Sequence, residues 1–236
     1  MPKHRIVITN TIICSVLLIL GLLVNTINID KTYLTVAAPL SYGDRNGQQV
    51  GLMFIIDDPH MAENIPEVLD TLSRFEASAT FFFTGTAAIN NLEILQTLAD
   101  NYELGNYGFS NQSLNSADKN FIAEEIRLGD ALISSLVHKP MKVFTPPTGA
   151  FNKHTLAMAQ SLGYTTVLPT ARNAVIDWDT ADSNLVVSYA TYQVKAGDII
   201  ALKITTATRQ CFAQVAAEYL SHDLKITSLE RLLPVS

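Results

Sequence analysis

The sequence predicts an α/β fold: a mainly parallel sheet with helices packed outside it, preceded by one N-terminal transmembrane helix. Three patterns in the 236-residue chain carry this expectation. Short apolar runs alternate with longer segments whose apolar residues recur at helical spacing, which is the mark of strand–helix units. Polar clusters fall at the ends of the apolar runs, where parallel sheets place their sites. A separate apolar stretch near the N-terminus is flanked by basic residues.

The elements follow in order. Val50 to Ile56 is a continuous apolar run ending at Asp57-Asp58-Pro59, as expected of a strand buried on both faces. Ile65, Val68, Leu69, Leu72 and Phe75 then line one face of a helix. Thr80–Phe83 is a second strand, Leu92–Leu98 continues a helix, and Tyr102–Leu104 is a third strand. The longest amphipathic helix spans Ala117–Val137, with Ile122, Ile126, Leu128, Ala131, Leu132 and Leu136 on or near one face. Val143-Phe144 is a strand stub before Pro146-Pro147, and Lys153–Leu162 is a helix that stops at Gly163. Thr165–Leu168 and Ile199–Leu202 are strands, Ala207–Leu220 is a helix, and Ile226 opens a final strand.

Ahead of the domain, Lys3 and Arg5 precede the apolar run Ile6–Val24, which is long enough to cross a bilayer at about 1.5 Å per residue. The basic residues on its N-terminal side put Met1 in the cytoplasm and the rest outside. The reading is a single-pass cell-membrane protein with an extracytoplasmic C-terminal domain. The alternative is a signal peptide and a secreted product, although no good small-x-small cleavage site follows the run. Residues 1–26 are thus the cytoplasmic tip and anchor, 27–48 a linker, and 49–236 one domain. Cys14 and Cys211 are the two cysteines and form no disulfide framework. A net charge of -6 without a basic stripe argues against nucleic acid as a partner.

The polar clusters, taken in order, resemble the motifs of the polysaccharide deacetylase family (NodB homology, carbohydrate esterase family 4). TFDDGP is represented by Ile56-Asp57-Asp58-Pro59-His60, and ATFF by Ala79-Thr80-Phe81-Phe82. EIGNHxxxH is represented by Glu103-Leu104-Gly105-Asn106-Tyr107, continuing to Asn111, and FRPPYGxxN by Phe144-Thr145-Pro146-Pro147, continuing through Gly149 to Asn152. The Asp-Trp pair is Asp177-Trp178, and PGxIILLHD is represented by Ala196-Gly197-Asp198 through Lys203. The resemblance implies a distorted (β/α) barrel, often of seven strands. It also implies metal-assisted removal of acetyl groups from glycans, in which a divalent metal, usually zinc, is held by one Asp and two His.

Carried over residue by residue, the resemblance is selective. Asp57 matches the catalytic base and Asp58 the metal-binding Asp in a gapless alignment; an alignment anchored on Phe54 would instead put Ile55 at the base. Tyr107 and Asn111 stand where the two metal histidines belong, and neither is a favoured zinc ligand. Thr145 replaces the orienting Arg and Lys203 the general-acid His. The candidates for shaping the mouth or binding substrate are Tyr107 and the retained Pro146, Pro147, Gly149 and Trp178, while Asp177 and Lys203 join Asp57 as the degenerate catalytic set. His60 beside Asp58 reads as a solvated loop residue, and Asp57 and Asp58 themselves read equally well as caps for the segment after them.

Two adjacent carboxylates without a metal are costly to bury. The sequence therefore predicts that the Lys203 ammonium approaches Asp57, Asp58 or Asp177 and takes the electrostatic place of the lost metal. The functional expectation is a family member that binds cell-envelope glycan or an envelope protein and is catalytically impaired. No cofactor is expected, with zinc or another divalent metal only if the site is active. The alternatives are an active deacetylase with a rearranged site and a structural envelope protein without ligand.

Overall fold

The structure is a computed structural model that describes residues 36–170 and 178–233. The apolar run Ile6–Val24 and Asp177 lie outside the described residues, among which no helix is long and apolar enough to cross a membrane. Ala37–Ser236 forms one compact unit.

Within it the chain alternates as the sequence predicts. β1 is Gln49–Ile56, α1 Ile65–Arg74, β2 Thr80–Phe83, α2 Gly85–Ile89, α3 Leu92–Asn101 and β3 Glu103–Asn106. α4 is Lys119–Val137, β4 Val143–Phe144, α5 Lys153–Ser161 and β5 Thr165–Thr166. α6 is Ser183–Thr191, β6 Ile199–Lys203, α7 Thr206–Ser221, β7 Lys225–Thr227 and α8 Leu229–Leu232. Three short helices escape the periodicity argument. α6 is the clearest of them: the Asp182 side chain accepts from the Leu185 N–H, and Val186 and Ala190 are its buried residues.

The strands form one seven-stranded parallel sheet in the order β5-β4-β3-β2-β1-β6, with β7 pairing the start of β1. Side chains alternate along each strand and so divide the core in two. Val50, Leu52, Phe54 and Ile56 of β1 join Phe81 and Phe83 of β2 and the outer helices in one cluster. Phe54 stacks on Phe81 at 5.3 Å and meets Phe212 of α7 edge-on at 5.2 Å. Met53, Ile55, Phe82, Val143, Val167 and Ile199 face the other way and form the interior cluster. Gly105 belongs to that inner face by the same alternation. A Cβ there would sit 2.3 Å from the Phe82 ring, so the glycine makes room for the aromatic that fills the interior.

The barrel expected from the resemblance is a curled, incompletely closed sheet. β5 and β6 do not pair, but Thr170 just beyond β5 reaches the start of β6. Its N–H donates to the Ile199 carbonyl at 2.8 Å, and its hydroxyl accepts from the Ile199 N–H at 2.9 Å. The remaining gap is spanned by residues 40–43. Leu40 bridges Val167 in parallel, Tyr42 bridges Asp198 antiparallel, and the Gly43 N–H donates to the Gly197 carbonyl. Residues 37–48, which the sequence suggests are linker, are therefore part of the domain. They lack periodicity because they pair one or two residues at a time with distant strands.

A charged clasp holds this segment. Asp198 is fully buried, and Arg45 pairs with its carboxylate while also donating to the Ala196 carbonyl at 3.1 Å. The Arg45 guanidinium also lies 4.9 Å from the Tyr42 ring centroid. At the N-terminal end of the sheet α8 plugs the interior with Leu229 and Leu232. Glu103 receives the Thr80 hydroxyl and the Glu230 N–H there, and burial pushes its carboxyl above the ordinary glutamate range.

Two outcomes follow for stability. Arg45→Ala removes one ionic contact of buried Asp198, which keeps its hydrogen bond from the Lys195 N–H, and is expected to cost about 2 kcal/mol in urea unfolding. This is below the usual value for a broken buried pair because Arg45 is partly exposed. Glu103 binds its proton more tightly folded than unfolded, so its contribution is full below the unfolded pKa and declines as pH rises through the folded one. Glu103→Gln keeps an acceptor for Thr80 and is expected to flatten that decline above about pH 4.3, measured by melting temperature against pH.

Candidate functional site

The alternation that builds the interior also selects what reaches its C-terminal mouth. Met53 and Ile55 face inward, so Asp57, two residues on, emerges at the end of β1. Ile199 and Ala201 face inward, which gives Lys203 at the end of β6. Gly105 is followed by Tyr107, and Val143 by Thr145. Tyr107 and Thr145 are both buried. Four strands thus deliver Asp57, Tyr107, Thr145 and Lys203 to the same end of the sheet.

Asp57 and Lys203 meet there. Lys203 Nζ lies 2.7 Å from Asp57 Oδ2, with the aspartate side chain 3% exposed and the lysine 24%. The approach expected from the sequence is present, and Asp57 is the carboxylate that receives it. The same Oδ2 accepts a second hydrogen bond from Asn111 Nδ2 at 2.9 Å. A carboxylate only accepts, so this contact fixes which way the Asn111 amide is turned.

Tyr107, in the place of the first metal histidine, is turned to another task. Its phenolic oxygen accepts the Thr148 N–H at 3.0 Å. Thr148 has φ 60, an uncommon conformation for a β-branched residue, and its neighbour Gly149 has φ 70. Tyr107 therefore braces the tight turn after Pro146-Pro147, in which Pro147 is buried. Burial raises the Tyr107 pKa to about 12, with the Thr148 hydrogen bond opposing and the Asp57 charge adding to the rise. At neutral pH the residue is a neutral phenol.

The loop carrying Asn111 is fixed from below by a group that the sequence reading did not single out. Glu125, on the buried face of α4, is 5% exposed. It accepts the Phe109 N–H at 3.1 Å, the Ser110 N–H at 2.9 Å and the Ser110 hydroxyl at 2.7 Å. α4 comes close at Gly129, where a Cβ would lie 2.6 Å from the Gly108 carbonyl oxygen. Fully buried Asn106 secures the other side, donating to the Ile126 carbonyl and accepting the Gly108 N–H. So held, Asn111 adopts φ 59, a conformation that Asn tolerates better than most residues.

The other expected residues stand elsewhere. Asp58 is exposed and caps the 3-10 turn Pro59–Asn64 by accepting the His60 N–H at 2.8 Å. The His60 ring is 88% exposed and faces Glu63. Trp178 packs edge-on against Tyr189 of α6 and belongs to the helix-side cluster. Asn152, retained from the third motif, closes a capping box at the start of α5 and donates to the Leu114 and Asn115 carbonyls. A cavity of about 220 Å³ between Tyr102, Lys139 and Arg231 opens at the N-terminal end of the strands, opposite the mouth.

These side chains do not fit the metal that the motifs imply. Zinc takes His, Cys and carboxylate. Asp58 is engaged as a cap, the phenol oxygen is engaged by Thr148, and the Asn111 amide directs its donor nitrogen at Asp57. Lys203 supplies a positive charge at the same carboxylate. Among the described residues no group of three or more His, Cys, Asp or Glu side chains converges as a metal site.

Comparison with known proteins agrees with the motifs. The family model described as polysaccharide deacetylase matches residues 43–167. A peptidoglycan-N-acetylglucosamine deacetylase of Bacillus cereus is 29% identical over 138 residues, covering 58% of this chain and 64% of its own length. The peptidoglycan-N-acetylmuramic acid deacetylase PdaA of Bacillus subtilis is 24% identical over 135 residues, covering 56% of this chain and 51% of its own length. The chain thus spans about half to two thirds of these relatives. Among solved structures, a CE4-family pseudoenzyme from Bacillus anthracis superposes with a TM-score of 0.77 at 21% identity, covering 83% of this chain and 68% of that one. The motifs, the curled parallel sheet and the family-model match, which takes in more than half of the sequence, together place this chain in the polysaccharide deacetylase family.

Proposed function

We propose that this chain is a catalytically impaired family member that binds an N-acetylated cell-envelope glycan without hydrolysing it. The observation that carries the reading is the lysine on the base: Lys203 Nζ is 2.7 Å from Asp57 Oδ2. Hydrolysis in this family needs a metal to polarise the acetyl carbonyl and activate water, and a carboxylate free to take the proton. Here one oxygen of that carboxylate, Oδ2, already accepts from both Lys203 and Asn111. The glycan class comes from the relatives, which are peptidoglycan and chitooligosaccharide deacetylases. The fold tolerates loss of activity, since the Bacillus anthracis neighbour is described as a pseudoenzyme.

In this reading Pro146, Pro147, Gly149 and Tyr107 shape the mouth where sugar docks, and Asp57, Asp177 and Lys203 are the remnant of the catalytic set. Residues 1–26 anchor the protein, and the domain lies on the outer face of the membrane. An envelope protein is the other partner this location admits.

The test is zinc titration calorimetry on the full-length chain, with acetate release from tetra-N-acetylchitotetraose measured in added zinc or cobalt. We expect no stoichiometric zinc binding, no acetate and saturable binding of the oligosaccharide. One equivalent of bound zinc with acetate release would establish an active deacetylase instead, and absence of glycan binding would favour a structural envelope protein.

A further inference from the structure

The end of the sheet opposite the mouth carries a recess of its own. A cavity of about 220 Å³ lies between the last turn of α3, the segment joining α4 to β4, and α8. Pockets for drug-sized ligands run from about 300 Å³ upward, so an occupant here is smaller than that. Buried Leu104 and Met141 supply apolar lining, and most of the rest is charged.

The α3–β3 side is negative. Asp100 and Glu103 lie there, and the last turn of α3 holds no basic residue to offset its C-terminal dipole. That side already draws an ammonium, since Lys139 Nζ donates to the Ala99 carbonyl at 3.2 Å. Glu103 is the fixed acid. It accepts the Thr80 hydroxyl and the Glu230 N–H at 3.0 Å, and Thr80 Oγ1 accepts the Leu229 N–H at 2.8 Å. No cation pairs with Glu103 among the described residues, and burial, with the Glu230 charge adding to it, raises its pKa. The same hydrogen bonds fix the start of α8 and with it Arg231. The Arg231 side chain lines the cavity and makes no ion pair or hydrogen bond among the described residues. Lys142, 4.0 Å from Glu230, adds positive charge on that side.

Charge and size together restrict the ligand. A simple anion meets Arg231 and Lys142 but also Asp100 and Glu103, and a simple cation meets the reverse. A molecule with an ammonium at one end and a carboxylate at the other satisfies both sides. We propose that this cavity binds a small zwitterion of amino-acid or dipeptide chemistry, with its ammonium at Glu103 and Asp100 and its carboxylate at Arg231 and Lys142. The site is separate from the mouth, and failure of the mouth to bind glycan leaves the inference standing.

The test is calorimetry on the full-length chain with three ligands: alanyl-alanine, its N-acetylated form, which lacks the ammonium, and its C-terminal amide, which lacks the carboxylate. At about pH 6.5 both ends of the parent dipeptide are charged. The dipeptide is expected to bind saturably, and each altered form at least roughly tenfold more weakly, the scale of one lost charge-assisted hydrogen bond. Arg231→Ala is expected to reduce the dipeptide to about the affinity of its amide, with the melting temperature unchanged because the side chain is exposed. Asp100→Asn is expected to weaken the dipeptide and leave the acetylated form unaffected. Absence of saturable dipeptide binding, equal affinity for the parent and either altered form, or dipeptide binding untouched by Arg231→Ala would overturn the inference. The three-ligand comparison on the unaltered chain decides the matter even where a variant fails to fold.

Discussion

A carboxylate buried at the end of a strand needs a positive charge or several donors, and Asp57 obtains both from Lys203 and Asn111. The arrangement of the mouth follows from meeting that need without histidine ligands. Lys203 is brought in because β6 lies beside β1 in register, with Lys203 opposite Ile55. Asn111 is brought in by a loop that Glu125 pins against α4. Tyr107 braces Thr148 instead of facing a metal. Three of the replacements, Lys203, Asn111 and Tyr107, thus have their own hydrogen-bond partners in the mouth.

That network depends on the sheet being curled, since Asp57 and Lys203 stand at one end of the strand order and Tyr107 and Thr145 on strands toward the other. Curling is completed by chain outside the strand–helix repeat: residues 40–43 bridge β5 and β6, and Arg45 anchors them on buried Asp198. α8 closes the opposite end with two leucines. Fold-shaping motif residues persist here for reasons unrelated to chemistry. Asn152 caps a helix, Gly105 accommodates the Phe82 ring, and Trp178 packs on Tyr189.

Much of this was legible in the sequence. β1 and β2 are buried on both faces and so appear as continuous apolar runs. α1 and α4 show their buried stripes directly. The approach of Lys203 to an aspartate followed from the cost of an unpaired carboxylate. What escaped was non-local. Residues 40–43 make isolated bridges to strands more than a hundred residues away and carry no period. Nothing local distinguishes Asp58, a turn cap, from Asp57, the buried partner; strand alternation counted from Met53 and Ile55 does. Glu125 left a signal that was overlooked, an acid on the same helical stripe as Ile122, Ile126 and Gly129, where a charge needs a polar loop to receive it.

The central claim is that a lysine ammonium, not a metal ion, balances Asp57 at the barrel mouth. The most direct measurement is a crystal structure grown with excess zinc, with anomalous diffraction collected at the zinc edge. The account predicts no anomalous peak in the mouth and Lys203 Nζ in hydrogen-bond contact with Asp57. A zinc peak within coordination distance of Asp57 or Asp58, with Lys203 turned away, would contradict it.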